Sequence, residues 1–179
     1  MKVFVTGSHS TGKTTLARWI SNRFDMPLVS EAVRPVLASR EVDINVLRAD
    51  LNQTEGFQHE LIERQVKAEK RKEDAVYDRC TFDYIAYTAE HTCVSYGLKT
   101  EMADAAARLK GAVVFLLRPQ PELMADDGVR EKVVWESVIR IDAMIKLLFE
   151  MYDVNYIPIS TANMAERART VATVLQRRL

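Results

Sequence analysis

The sequence predicts an α/β fold in which a five-stranded parallel sheet is covered on both faces by helices. Three observations lead to it. Strand-sized apolar runs recur along the chain, the plainest being residues 112–117, Ala-Val-Val-Phe-Leu-Leu. Longer stretches with apolar residues every three or four positions lie between those runs. A glycine-bracketed loop then joins the first apolar run directly to the first helical pattern, in the order strand, loop, helix. In such a sheet a ligand belongs at the carboxyl ends of the strands.

The elements follow in order. Val3, Phe4, Val5 and Thr6 make the first strand, β-branched and aromatic. Leu16, Trp19, Ile20 and Phe24 mark a helix over residues 13–24, and residues 28–30 after Pro27 form a short second strand. A break near residues 40–45 precedes one or two helices reaching to about residue 71. Within them Glu60–Arg64 and Glu63–Lys67 are i,i+4 pairs of the favourable orientation. The basic cluster Lys67, Lys70, Arg71, Lys72 is interleaved with glutamates and reads as a solvated face. Residues 75–78 are a third strand ending in an acid, and residues 81–94 and 100–110 are helices. After the strand at 112–117, Pro119, Pro121 and the Asp126-Asp127-Gly128 turn mark an irregular segment. Val134, Val138, Ile141, Ile145, Leu148 and Tyr152 define the next helix; a strand at 154–159 and a helix at about 162–178 follow. At 179 residues the chain has the length of one domain, with a short lid expected at about 119–132.

Bulk composition narrows the function classes. Lysine plus arginine equals aspartate plus glutamate at 25 each, which argues against a protein held to nucleic acid by bulk charge. Cys80 and Cys93 form no framework, as expected in a reducing, cytoplasmic compartment. No apolar run is long enough to span a membrane, and no signal-peptide pattern opens the chain.

The loop itself reads Gly7-Ser8-His9-Ser10-Thr11-Gly12-Lys13-Thr14, the G-x-x-x-x-G-K-[ST] phosphate-binding P-loop. Glycine lets the backbone N–H groups turn inward around phosphates, and the helix N-terminus adds its positive dipole end. The cradle is therefore expected over Gly7, Ser8, His9, Ser10, Thr11, Gly12, Lys13, Thr14 and Thr15, holding a nucleoside triphosphate, with ATP the expected donor and its preference over GTP left open. Lys13 is expected to reach the terminal phosphates, and the Thr14 hydroxyl to sit on Mg2+. Magnesium also needs a carboxylate at the end of a neighbouring strand, and Asp78 supplies it. Arg79 beside it suits charge on a transferring phosphoryl group, or else a structural ion pair. Glu31, with Arg34 a helical turn on, is a candidate to orient an acceptor hydroxyl; capping a helix start is the plainer reading. Asp83 faces the acceptor or favours its helix N-terminus, and Cys80 reads as a buried filler.

These residues together resemble the nucleoside and nucleotide kinase group of P-loop proteins, most closely the ribosylnicotinamide-kinase type. Ser30-Glu31-Ala32-Val33-Arg34 is similar to that family's acceptor-site E-x-x-R segment. Residues 125–130 resemble its D-D-G-x-R lid, which implies that Arg130 contacts phosphate. Tyr77-Asp78-Arg79-Cys80 is instead similar to an element of deoxynucleoside and thymidylate kinases. Phe57-Gln58 is similar to the pair by which deoxynucleoside kinases read a base, set against Gln58 as a helix-surface amide. The resemblance implies a three-layer P-loop kinase with catalytic Lys13, Glu31, Asp78, Arg79 and Arg130, and Glu31, Arg34, Gln58 and Asp83 toward the acceptor. A small-molecule nucleoside or nucleotide acceptor fits best. Hydroxymethylated pyrimidines in DNA are the alternative acceptor, and an ATPase or regulatory nucleotide-binding module the alternative of another class. The sequence contains no N-K-x-D motif for a GTPase, and an AAA+ motor needs a longer chain. The oligomeric state is left open, a homodimer included.

Overall fold

The computed structural model describes residues 1–40, 49–71, 73–94, 97–124 and 134–178. Its strands are β1 (Lys2–Thr6), β2 (Leu28–Val29), β3 (Ala75–Asp78), β4 (Val113–Leu117) and β5 (Ile157–Ile159). Its helices are α1 (Lys13–Phe24), α2 (Val33–Arg40), α3 (Leu51–Glu69), α4 (Thr81–His91), α5 (Gly97–Leu109), α6 (Trp135–Met151) and α7 (Met164–Gln176). A 3₁₀ turn at Pro121–Leu123 follows β4.

All five strands run parallel in the order β2-β3-β1-β4-β5. The period-two alternation of β1 divides the core. Val3 and Val5 point to one face, where Leu16 and Ile20 of α1 and Val171 and Leu175 of α7 cover them. Phe4 points to the other, where it stacks on Tyr77 at 4.5 Å beneath α3, α4, α5 and α6. β1 and β4 are buried along nearly their whole length, which is why they read as continuous apolar runs.

From β1 the chain leaves toward β2 at one edge; from β3 it crosses β1 to reach β4. The exits of adjacent strands β1 and β3 therefore diverge, opening a crevice at their carboxyl ends. Val5 lies level with Asp78 in the parallel register, which sets the P-loop beside the end of β3. β2 pairs with β3 through Leu28–Val76 and Val29–Tyr77, so the residues after β2 reach the same crevice.

The expected elements are all present among the described residues, with shifted ends. The helix expected at 81–94 stops at His91, where Thr92 leaves helical dihedrals. The helix expected from residue 100 begins at Gly97, and the last strand is confined to Ile157–Ile159. Glu60–Arg64 forms at 2.8 Å, and Lys67, Lys70 and Arg71 are exposed, as a solvated face requires. The break near 40–45, Lys72, Arg130 and most of the lid lie outside the described residues.

Candidate active site

The P-loop is built by local geometry first. Gly7 takes φ +140°, and a Cβ there would stand 2.5 Å from the Leu117 carbonyl oxygen. Gly12 takes φ +81° and caps α1 in the left-handed region, which a residue without a Cβ enters freely. Two of the loop's carbonyls are occupied by side-chain donors. Thr11 Oγ1 donates to the Ser8 carbonyl at 3.1 Å, Lys13 Nζ donates to the same oxygen, and the Arg167 guanidinium donates to the Thr11 carbonyl at 2.6 Å.

Lys13 is almost wholly buried, lying back over the loop. Burial lowers its pKa to about 7, with Arg79 pushing the same way and the carboxylates of Asp83, Asp78 and Glu31 opposing. Its ammonium is thus held close to losing its proton until more negative charge arrives.

At the end of β3, Thr14 Oγ1 donates to Asp78 Oδ2 at 2.6 Å. Asp78 is buried, and its Oδ1 has no hydrogen-bond partner among the described residues. A buried carboxylate oxygen left open beside a hydroxyl is a hard oxygen donor set, the kind magnesium takes. The two residues expected to hold the metal are therefore adjacent and fit it. Among the described residues, no group of three His, Cys, Asp or Glu side chains could hold a metal ion.

Arg79 adopts φ +95°, strained for a residue with a side chain. Its N–H donates to the Val5 carbonyl at 3.0 Å and its carbonyl accepts from Gln65 Nε2 at 3.1 Å, so neighbours on both sides fix the turn. The strain aims the side chain at Glu31: Arg79 Nε donates to Glu31 Oε2 at 3.0 Å. The guanidinium covers the Tyr87 ring at 4.9 Å, and the His9 ring meets Tyr87 edge-on at 4.6 Å. Tyr84 Oη accepts from the Ala32 N–H at 3.1 Å, pinning the segment that carries Glu31.

Asp83 differs from its expected place at the acceptor. It is fully buried, and its carboxylate accepts from the Gly7 N–H and the Cys80 N–H, each at 2.8 Å. It caps α4 and ties the P-loop to the end of β3; burial raises its pKa while Arg79 and Lys13 oppose. Cys80 is buried with a raised pKa from the same burial, as a filler should be. Gln58 is not a surface amide. It lies buried on the core face of α3, its Oε1 without a hydrogen-bond partner among the described residues. Two turns on, the same face carries Gln65, which holds Arg79. Arg34 lies in the first turn of α2, three residues after Glu31 in the chain.

Sequence reasoning missed Gln65, Glu69 and Arg167. Glu69 accepts from Thr81 N–H, Thr81 Oγ1, Arg108 and Gln65, and so anchors the start of α4. The signal was present, since Gln65 and Glu69 continue the Phe57, Leu61, Ile62 stripe, and Arg167 continues that of Val171 and Leu175. A polar side chain on an apolar stripe is buried for a reason.

Residues 2–167 match the model of a family described as an AAA domain. The chain belongs to this family. No curated protein matches the sequence. Among solved structures, this AAA-domain protein is similar to deoxyadenosine kinase from M. mycoides, at TM-score 0.70 and 15% identity, over 100% of both chains. It is also similar to shikimate kinase from Acinetobacter baumannii in complex with shikimate, at TM-score 0.59 and 15% identity, over 99% of this chain and 94% of that one. A NadR protein in complex with NR matches at TM-score 0.69 and 18% identity, over 89% of this chain and 45% of that one. At these identities the AAA-domain protein shares a fold with the two kinases and with NadR.

Proposed function

We propose that this protein transfers the γ-phosphoryl group of ATP to a hydroxyl or phosphate of a nucleoside, nucleotide or related small metabolite. The observation that carries the reading is the Glu31–Arg79 pair, 3.0 Å apart, whose two charges both act on the buried Lys13 of the P-loop. A carboxylate here can orient an acceptor hydroxyl, and a guanidinium can offset charge on a transferring phosphoryl group. Both roles belong to phosphoryl transfer.

In this reading residues 7–15 cradle the triphosphate through their N–H groups. Thr14 and Asp78 hold magnesium, which supplies countercharge to the phosphates when bound. Lys13 and Arg79, with Arg130 from the lid, offset the charge spread over the transferring group. Glu31 orients an acceptor hydroxyl and takes its proton as the new O–P bond forms and the bond to the β-phosphate oxygen breaks, releasing ADP. Gln58, with its open buried amide oxygen, and Arg34 serve the acceptor. The fold shared with small-molecule kinases supports an acceptor of that size.

The test is transfer from γ-labelled ATP to a panel of ribosylnicotinamide, nucleosides, deoxynucleoside monophosphates, and DNA with and without hydroxymethylated pyrimidines. Label in a small molecule is the expected result. Label only in DNA would move the acceptor class, and free phosphate with no labelled acceptor would refute the kinase reading.

A further inference from the structure

Arg167 is the largest fully buried side chain among the described residues, and no acidic residue among them pairs with it. Its partners are two backbone carbonyls: Nε donates to Thr161, in the loop after β5, and Nη1 donates to Thr11 of the P-loop, each at 2.6 Å. Nη2 has no partner among the described residues, and burial lowers the pKa of the group. Burying a guanidinium without a counter-carboxylate is costly, so a purely structural explanation is poor. An apolar side chain would fill the same position on the Val171–Leu175 stripe of α7 at no such cost.

The Thr11 carbonyl shares a planar trans peptide with the Gly12 N–H, so the two point in opposite directions. Fixing the carbonyl on Arg167 therefore fixes the Gly12 N–H to point away from Arg167. The other side of Gly12 is fixed as well, since its own carbonyl accepts from the Leu16 N–H at 3.1 Å as α1 begins. A charged donor on the carbonyl also polarises the peptide and strengthens its N–H as a donor. A Cβ on Gly12 would stand 2.7 Å from Arg167 Nη1, so the guanidinium would have to shift to admit it.

We propose that Arg167 is a positioning residue for the phosphate cradle, orienting the Gly12 N–H toward the donor phosphates through the Thr11 carbonyl. The inference rests on the reading of residues 7–15 as a triphosphate site. With Asp83 on the Gly7 N–H, the loop is then held at one end by a carboxylate and near the other by a guanidinium. It is set before the ligand arrives.

The test measures binding of MgATP and of magnesium tripolyphosphate, which has no base, to the full chain, alongside its melting point without ligand. Arg167→Ala should weaken both ligands by the same factor, about tenfold to hundredfold for loss of a charged hydrogen bond. Low concentrations of guanidinium at fixed ionic strength should restore part of that affinity, and tetramethylammonium should not. Unchanged tripolyphosphate binding, or a loss confined to ATP, would overturn the proposal, the second by showing contact with the base. If Arg167→Ala does not fold, Arg167→Lys decides: a several-fold loss for both ligands in a folded protein supports the role, and unchanged affinity refutes it. Wild type that binds neither ligand would instead refute the triphosphate reading itself.

Discussion

Nucleotide binding should draw a proton onto Lys13, and the number taken up should depend on pH in a calculable way. Burial, then repulsion from Arg79, lowers the Lys13 pKa to about 7 in the free protein. A triphosphate placed against the ammonium raises that pKa far above neutrality. At pH 8 roughly one free molecule in ten carries the Lys13 proton, so binding takes up about 0.9 proton per nucleotide. At pH 6 the group is already about nine-tenths protonated, and uptake by Lys13 falls to about 0.1. Apparent affinity should then weaken by up to about tenfold for each pH unit above 7. The assay is calorimetric titration with MgATP in buffers of different ionisation enthalpy, where the slope of observed heat against buffer enthalpy counts protons. Lys13→Arg is the control: an arginine stays charged at both pH values, and its titration carries only the protons of the nucleotide and the rest of the protein. A wild-type uptake at pH 8 no larger than that of Lys13→Arg would refute the reasoning.

The same ionisation bears on folding. The unfolded chain holds the Lys13 proton up to about 10.5, the folded one only to about 7, so the unfolded state binds more protons between them. The stability difference between wild type and Lys13→Met should therefore shift in favour of wild type as pH rises through that window, by up to about 5 kcal/mol; a flat difference in urea unfolding would contradict the burial. Asp83→Asn presents an NH₂ to one of two N–H donors, so it should destabilise by about 2–4 kcal/mol in the same measurement and weaken nucleotide binding. Gly12→Ala forces a Cβ onto Arg167 at φ +81°, and MgATP affinity should fall while the Thr14–Asp78 pair survives. Glu31→Gln removes the carboxylate charge that Arg79 pairs with and should lower phosphoryl transfer by about 10²–10⁴ with ATP affinity unchanged. A fall in ATP affinity instead would place Glu31 on the donor side.

The donor half of the site was legible in the sequence because its chemistry is local. Gly7 to Thr15 is one continuous motif, and Asp78 stood out as an acid ending an apolar strand. The pairing of Glu31 with Arg79 was not legible. The two are 48 residues apart, and only the β2–β3 register brings them together. Of the two roles the sequence offers Asp83, the helix-start one has a local signal, while its bond to Gly7 spans 76 residues and leaves no local pattern. For Gln58 the surface alternative fails: it falls on the same face as Leu61, Ile62 and Gln65, a stripe that the sequence shows. Arg167 meets Thr11 across 156 residues, and its only trace was a charge where the stripe of α7 called for an apolar residue.

The central place of β1 also bears on how the chain is made. Its neighbours in the sheet are β3 and β4, so the strand that leaves the ribosome before the other four finds no partner until residues 75–78 have followed it. Its second edge stays open until residues 113–117 emerge. During that interval an apolar strand with two unpaired edges is exposed to other nascent chains, the condition under which aggregation begins. Folding of this sheet is thus non-local by construction, and its slow step should be the docking of β3 and β4 on either side of β1. The crevice that holds the P-loop and Asp78 forms only with that step, so a growing chain has no assembled site to offer a nucleotide.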